Sequence, residues 1–274
     1  MGEMIKIFAA FGGGIVASAV GGVEAFVFCG IVGLAAVLSN HGLMLDNCAF
    51  GPIFVPCVGF ASAVAATAFC SNKRKKLDSG TAITAPLAGL NDPYSLLVGG
   101  LFGALGYSLM LAAGALGINC DIPALIVLVL NMAVRLIFGK TGLTGIHPKD
   151  GSRRYLITGK QLADSVVLGL GFGLMAAFIA KITNQPLIPF CISAIFLGFL
   201  CCNVNVPGTH HITIVAAYAA VATGSMAAGT VAGVLASVLG TQLENIFNQY
   251  NDTHIDSPAF TIAVGSFIIF NFIH

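Results

Sequence analysis

Thiol, amide and imidazole side chains lie close together in one short stretch of the second half of the chain. Cys201 and Cys202 are followed directly by Asn203 and, a few residues later, by the adjacent pair His210 and His211. Thiolate and imidazole ligands together suit soft ions such as Zn²⁺ or Cu⁺. His210, His211 and Cys202 are therefore candidate metal ligands, although their spacing matches no recognised metal motif and adjacent histidines point in different directions.

Neutral polar residues predict a second kind of site, which binds a small solute or ion through hydroxyl, amide and backbone carbonyl groups. Thr67 and Thr223 close two similar apolar segments, and Asn131 and Ser266 lie in the middle of two predicted helices. Hydroxyl groups of Ser and Thr also bond back to their own helix, which is the alternative explanation for each. The full set of predicted solute-binding residues is Pro52, Thr67, Asn131, Asn203, Pro207, Thr209, His210, His211, Thr223 and Ser266.

Two charged residues within predicted apolar helices form a candidate charge pair. Glu24 lies in the first turn of its helix, where the helix dipole favours a carboxylate, and Arg135 lies near the end of another helix. An unpaired charge at membrane depth is unfavourable, although long side chains also reach the interface on their own. We therefore expect Glu24 and Arg135 to neutralise each other if both helix ends lie on the same side. The functional alternative for Glu24 is a carboxylate that binds a cation or proton.

The composition of the chain excludes a soluble domain. Hydrophobic residues make up 57% of the 274 residues, charged residues make up 8%, and the mean hydropathy is +0.94. Apolar runs of about 17 to 25 residues recur along the chain, and this length crosses the hydrocarbon layer as a helix. The sequence therefore predicts an all-α, multi-pass protein of the cell (inner) membrane, surrounded by the lipid bilayer. A net charge of +1 gives no reason to expect a nucleic acid partner.

Two segments of the chain resemble each other: residues 51–67 (GPIFVPCVGFASAVAAT) and residues 207–223 (PGTHHITIVAAYAAVAT). Each begins with a Gly/Pro pair, at Gly51-Pro52 and at Pro207-Gly208, that cannot continue a regular helix. In a membrane, such breaks persist only where protein or a water-lined cavity satisfies the freed backbone groups. We therefore predict broken or re-entrant helices at both places, which form the walls of one central site.

These segments belong to a longer duplication of the chain. The sequence DIPA, starting at Asp121, heads the fifth apolar helix, and DSPA, starting at Asp256, heads the last one. We therefore divide the chain into a first membrane repeat (1–140, with a cytoplasmic insertion at about 70–92), a cytoplasmic linker (141–162) and a second membrane repeat (163–274).

The number of crossings in each repeat decides how the two repeats are oriented. Five crossings give about ten transmembrane helices in all and invert the second repeat relative to the first. If the Gly/Pro segments instead dip in and return, each repeat has four crossings and the repeats are parallel. The four cations from Lys73 to Lys76 and the basic linker are cytoplasmic in both arrangements. The termini are outside in the first arrangement and inside in the second.

These patterns predict an integral membrane transporter or channel for a small polar solute or ion, with its site at the repeat interface near the bilayer midplane. The alternatives are a transition-metal-ion transporter that uses Cys and His around the second break, and a non-transporting scaffold subunit. We do not expect an enzyme, because the sequence has no Ser/His/Asp set, metalloprotease helix or nucleotide motif. We expect no cofactor, and we expect the chain to form a homo-oligomer.

Overall fold

The structure is a computed structural model that describes residues 2–273. Within these residues, the regular secondary structure is helical and strands are absent, which confirms the all-α class. The helices of ten or more residues are α1 (Gly2–Val20), α2 (Gly22–Leu38), α3 (Gly59–Phe69), α4 (Pro93–Ala115), α5 (Ile122–Phe138), α6 (Gly159–Thr183), α7 (Leu187–Phe196), α8 (His210–Thr223), α9 (Met226–Phe247) and α10 (Ser257–Phe272).

Four helices are long and apolar enough to cross a membrane: α1, α4, α6 and α9. Their lengths are 19, 23, 25 and 22 residues, which matches the thickness of the hydrocarbon layer. Large apolar side chains such as Phe8, Leu101 and Val167 are more than half exposed on the outer surface of the bundle. Lipid chains would cover such side chains, so the surface is compatible with a membrane protein.

The first Gly/Pro pair lies in a run of turns between α2 and α3. Residues 51–58 form turns and bends rather than a helix, and α3 starts only at Gly59. The turn requires glycine at position 51, because a Cβ there would lie only 2.5 Å from the Asn47 Cα. The predicted break followed by a tightly packed helix is therefore present, and the residues of α3 from Gly59 to Ala68 are all buried.

The second Gly/Pro pair lies in an irregular segment before α8. Residues 204–209 have no regular structure, and α8 begins at His210. The Thr209 hydroxyl, just before the helix, lies 2.6 Å from the Ser193 hydroxyl of α7 and is fully buried with it. This hydrogen bond fixes the end of the irregular segment against the bundle, so the second break is also followed by a buried helix.

Small residues let the long helices of each half pack closely. A Cβ added to Gly14 of α1 would lie 3.1 Å from the Gly103 Cα of α4, and closer still to the carbonyl oxygen of Gly99. In the second half, a Cβ added to Gly169 of α6 would lie 2.6 Å from the Val234 Cα of α9. The short helix that follows each break packs on this pair: α3 contacts α1 and α4, and α8 contacts α6 and α9. These three helices therefore make corresponding contacts in the two halves.

The two halves meet through α2 and α7. A Cβ added to Gly33 would lie 2.9 Å from the Cys191 sulfur, and one added to Gly30 would lie 2.9 Å from the Ala194 Cβ. The later residue of α2, Gly33, contacts the earlier residue of α7, Cys191, and Gly30 contacts Ala194. The two helices are therefore antiparallel.

The helices α5 and α10 also join the halves and are also antiparallel. The backbone N–H of Asp121, at the head of α5, donates to the Ser266 hydroxyl in the middle of α10, at 2.8 Å. The backbone N–H of Asp256, at the head of α10, donates to the Asn131 side-chain oxygen in the middle of α5, at 3.1 Å. The head of each helix is thus fixed to the middle of the other.

The segment between α3 and α4 and the segment between α5 and α6 lie at the same end of the bundle. Asn72 donates to the Asp252 carbonyl oxygen at 3.1 Å, and the Lys140 N–H donates to the Asp252 carboxylate at 2.8 Å. Arg153, in the second segment, donates to the Ile246 carbonyl oxygen at 2.7 Å. We call this end of the molecule, which carries both basic segments, the linker end.

An ion pair anchors the basic segment before α4. Arg74 lies 3.1 Å from the carboxylate of Asp92, which is buried and also accepts a hydrogen bond from the Ser95 hydroxyl at 2.6 Å. Burial alone would raise the pKa of Asp92, but the Ser95 hydrogen bond and the charge of Arg74 outweigh burial and hold that pKa below its ordinary value. The predicted insertion at about 70–92 is therefore an ordered loop packed on the bundle.

Candidate functional site

A cavity of about 570 Å³ lies between the two halves of the molecule. Its walls come from both halves, including α2, the first break, the heads of α5 and α10, and the irregular segment before α8. Most of the lining is apolar, and its aromatic residues are Phe26, Phe50, Phe60, Phe190, Tyr218 and Phe270. The polar lining residues are few and lie mainly at helix ends, which is typical of a ligand-binding cavity.

The head of α5 brings a carboxylate to the cavity. Asp121 is the N-cap of this helix: one of its side-chain oxygens accepts a hydrogen bond from the Ala124 N–H at 3.0 Å. Its other side-chain oxygen accepts from the Tyr218 hydroxyl of α8 at 2.9 Å. Pro123 lies in the first turn, where its missing N–H needs no partner. Both oxygens of Asp121 are thus hydrogen-bond acceptors, as in a carboxylate.

The head of α10 brings a second carboxylate in the same way. Asp256 is the N-cap, and one of its side-chain oxygens accepts from the Ala259 N–H at 2.8 Å. Its other oxygen lies 3.5 Å from the His254 Nε2 atom. Pro258 occupies the position that corresponds to Pro123 in α5. The DIPA and DSPA sequences therefore build equivalent helix heads in the same cavity.

A third carboxylate lies between the cavity and a smaller, polar pocket of about 360 Å³. Glu244 of α9 accepts hydrogen bonds from the Asn248 side chain, at 2.7 Å, and from the Ser257 hydroxyl. Glu244 and His254 line both spaces, and the smaller pocket also contacts Tyr250, which is about half exposed at the linker end. The smaller pocket therefore lies between the linker end and the cavity, and we call it the vestibule.

The two adjacent histidines at the start of α8 point in different directions. His210 lines the cavity, and its ring packs against the rings of Phe26 and Phe190, with centroids 4.8 and 6.2 Å away. His211 instead faces α9, where a Cβ added to Gly240 would lie 2.9 Å from its Cδ2 atom. The Nδ1 atoms of both rings are buried and have no hydrogen-bond partner among the described residues. Only His210 is placed to contact a molecule in the cavity.

The candidate metal ligands do not come together. Cys202 is exposed, whereas His210 and His211 are buried with their rings 6.0 Å apart and nearly perpendicular. Across residues 2–273, no group of three or more His, Cys, Asp or Glu side chains is arranged to hold a metal ion. The break directs the two imidazoles to different helices, so the three candidate ligands do not face one another.

Several predicted solute-binding residues adjoin the heads of α5 and α10. Asn131 and Ser266 are fully buried and bind the backbone of the opposite helix head, as described above. Thr209 is fully buried against Ser193, and Pro52 is buried in the first break. None of these four residues lines the cavity, so they support its walls.

The remaining predicted solute-binding residues lie away from the cavity. Asn203 and Pro207 are exposed at the second break. Thr67 is buried near the end of α3, and Thr223 is the exposed last residue of α8, whose hydroxyl bonds back to the Ala219 carbonyl oxygen at 2.7 Å. The paired threonines therefore lie at helix ends rather than beside the central site, because each of the two short helices continues past the cavity.

Glu24 and Arg135 do not form the expected charge pair. The Arg135 guanidinium is buried and donates to the Thr253 hydroxyl at 2.9 Å and to the carbonyl oxygens of Leu143 and Thr253 at 2.7 and 2.6 Å. Glu24 instead lies next to the thiol of Cys201. Backbone carbonyl groups of the surrounding loops satisfy the arginine, so it does not need a carboxylate partner.

Five polar residues of the cavity were not among the predicted solute-binding residues: Asp121, Tyr218, Glu244, His254 and Asp256. The sequence signal for two of them was present, because DIPA and DSPA repeat at the heads of corresponding helices. An Asp followed by Pro suits the first turn of a helix, where the Asp is usually a structural cap. The packing of α5 against α10 and α8 places these caps in the cavity, and that packing is not readable from local sequence.

Comparison with known proteins identifies a family but no activity. A model described as a family of unknown function (DUF7973) matches residues 2–150 and 155–272. No curated protein and no solved structure matches the chain. The match covers most of the chain, which therefore belongs to this family.

Proposed function

We propose that this member of the DUF7973 family is an integral membrane transporter or channel for a small polar solute or ion. The cavity between the halves is its binding site. One observation carries the proposal: a cavity of about 570 Å³ lies inside an apolar helical bundle, and two helices begin beside it with a carboxylate at each head.

Carboxylates inside the apolar helical bundle support this proposal. A charged side chain near the bilayer centre is unfavourable by roughly 2.5–3.5 kcal/mol on insertion scales, so such residues usually serve a function. Asp121 and Asp256 are held by hydrogen bonds at equivalent places, and both line the cavity. Helices that begin inside the bundle are also the usual location of binding sites in transporters with repeated halves.

The antiparallel contacts support ten crossings in two inverted repeats. Two equivalent helices of opposite direction lie side by side at both contacts between the halves, α2 with α7 and α5 with α10. A short helix can complete a crossing together with the irregular residues before it: α8 has 14 residues, about 21 Å at 1.5 Å per residue, and residues 204–209 extend it further.

The positions of the basic segments support a cytoplasmic linker end. The cations of residues 73–76 and those of the linker lie at the same end of the bundle, and cytoplasmic loops carry an excess of Lys and Arg. The vestibule would then connect the cavity to the cytoplasm. A metal-ion transporter is less well supported, because the described residues do not bring the proposed ligands together.

Solute flux into proteoliposomes tests the proposal. The purified full chain is reconstituted, and entry of glycerol, urea, Na⁺ and small organic ions is compared with entry into protein-free vesicles by light scattering or isotope uptake. We expect at least one solute class to enter faster with the protein present. Rates equal to those of protein-free vesicles for every solute, with the reconstituted protein still folded, would refute the proposed function.

A further inference from the structure

The chemistry of the cavity walls limits the kind of solute that fits. Six aromatic residues surround the cavity, and aliphatic side chains such as Val127, Leu197 and Ile262 fill the gaps between them. A bare inorganic ion would find few oxygen ligands on such walls. A solute with an apolar body would instead remain in contact with the rings and aliphatic groups.

The charged groups of the cavity are all acidic. Asp121, Glu244 and Asp256 line it, and no Lys or Arg does so among the described lining residues. The two histidines of the lining, His210 and His254, are the remaining titratable nitrogen bases. Arg135 is held on the far side of Asn248, which donates to Glu244 and accepts a hydrogen bond from Arg135 at 3.3 Å. When ionised, these carboxylates make the electrostatic potential inside the cavity negative.

Helix dipoles do not reverse this sign. A helix N-terminus carries roughly half a positive charge and would favour an anion. At both heads, however, the chain's own aspartate already accepts the free backbone N–H, from Ala124 in α5 and from Ala259 in α10. A full negative charge on each cap outweighs the half charge of the helix end. An anionic solute would therefore meet occupied donors and two carboxylates.

A buried imidazole on the cavity wall also points to a ligand. His210 is 8% exposed, and its Nδ1 atom has no partner among the described residues. A buried polar atom without a hydrogen bond is unfavourable, and native proteins usually satisfy such atoms. The His210 ring and the neighbouring Gly208 both line the cavity, so this atom lies at the cavity wall.

We propose that the cavity binds a small organic cation, an amine or quaternary ammonium ion with an apolar body. Its charge lies near Asp121 or near Asp256, which are ten residues of α5 apart, about 15 Å along the helix axis. Its apolar groups lie against the aromatic walls, where cation–π attraction adds to the binding. The inference rests on the proposed function, because it takes the cavity as the solute site. It adds the charge and chemical class of the solute.

Binding of three matched probes to the full chain in nanodiscs tests this assignment. Choline is the cation, 3,3-dimethylbutan-1-ol is its neutral isostere and 3,3-dimethylbutanoate is a related anion; benzyltrimethylammonium serves as a larger cation. We expect at least one cation to bind about tenfold or more tightly than the neutral isostere. A difference of this size corresponds to the attraction between the cation and one nearby, partly screened carboxylate. The anion should bind most weakly.

Substitution of each aspartate by Asn shows which carboxylate binds the cation. Asp121→Asn and Asp256→Asn keep the helix caps, because Asn caps a helix as well as Asp does, but each removes one charge. At least one of them should lower cation affinity, and both should leave affinity for the neutral isostere unchanged. Asp78→Asn changes an exposed acid outside the cavity and should alter neither.

Several outcomes would overturn the assignment: tighter binding of the anion, equal binding of cation and neutral isostere, no binding of either cation, or unchanged cation preference in both Asn variants. The probe comparison needs only the unaltered protein, so it decides the question even if a variant misfolds. Flux is a separate measurement. Anion preference with intact flux would refute the charge class alone, and cation binding without any flux would refute transport alone.

Discussion

At the residue scale, the buried acidic and basic side chains have different environments. Asp121 and Asp256 are placed at helix heads, where the N–H groups of Ala124 and Ala259 stabilise the charge while the carboxylates remain on the cavity wall. Arg135 is enclosed by carbonyl and hydroxyl oxygens and does not line the cavity. The aspartates are therefore available to a solute, whereas the arginine has a structural role.

Replacing Arg135 should destabilise the protein strongly. Arg135→Gln removes several charge-assisted hydrogen bonds to the loops that follow α5 and α9, and we expect a loss of about 3 kcal/mol in unfolding free energy. Chemical unfolding in mild detergent measures it. Arg154→Gln, at an exposed position of the linker, is the matched control and should change stability little.

A double-mutant cycle tests the separation of Arg135 from Glu24. The two side chains have different neighbours, so the losses from Glu24→Gln and Arg135→Gln should add within about 0.5 kcal/mol. A coupling energy well above that value would mean that the two charges interact in the membrane and that the described contacts of Arg135 are incomplete.

At the element scale, helix positions were largely predictable from the sequence. The DIPA and DSPA sequences mark the starts of α5 and α10, and the start of α8 lies a few residues after its Gly/Pro pair. The linker was predicted to end at residue 162, but α6 already begins at Gly159. The capping box formed by Thr158 and Gln161 starts the helix there. Helix ends follow local chemistry, and this is why the sequence reports them.

Glycines that face a neighbouring helix should differ sharply from glycines that face outward. Gly14→Ala in α1 and Gly169→Ala in α6 place a Cβ against backbone atoms of the partner helix, and each should lower stability by about 1–3 kcal/mol. Gly12→Ala and Gly171→Ala meet nothing within 4 Å, so they should leave stability unchanged or raise it by up to about 1 kcal/mol. Thermal unfolding in detergent measures all four. Equal effects at the four positions would contradict the close packing of these helix pairs.

At the scale of the whole molecule, the site was much less predictable than the helices. The breaks and the repeated caps at Asp121 and Asp256 were visible in the sequence, but their convergence on one cavity depends on antiparallel packing across the two halves. The presence of a polar side chain was also a poor guide to the binding site. Thr67 and Thr223 have hydroxyl groups but lie near helix ends, away from the cavity. Long-range packing decides which polar groups share a space, and no local pattern encodes it.

The inverted arrangement makes a prediction about sidedness. Ten crossings place Leu43, after α2, outside the cell and Leu156, in the linker, inside; both side chains are about three-quarters exposed. In a variant with Ser at Cys201 and Cys202, Leu43→Cys should react with an impermeant maleimide on intact cells. Leu156→Cys should react only after permeabilisation. Labelling of both positions only after permeabilisation would favour eight crossings and parallel halves.

If solute crosses the membrane through the cavity between the halves, blocking that cavity should stop solute flux. Gly208 lines the cavity, and a Cβ there would make ordinary contacts of 3.9 Å with Leu197 and His210, so Gly208→Leu should fold while filling part of the space. Gly171→Leu, on the exposed face of α6, is the matched control. Solute flux into proteoliposomes at equal protein content should fall about tenfold or more for Gly208→Leu, the effect of about 1.4 kcal/mol, and remain at the level of the unaltered protein for Gly171→Leu. Undiminished flux in a folded Gly208→Leu protein would contradict transport through the cavity.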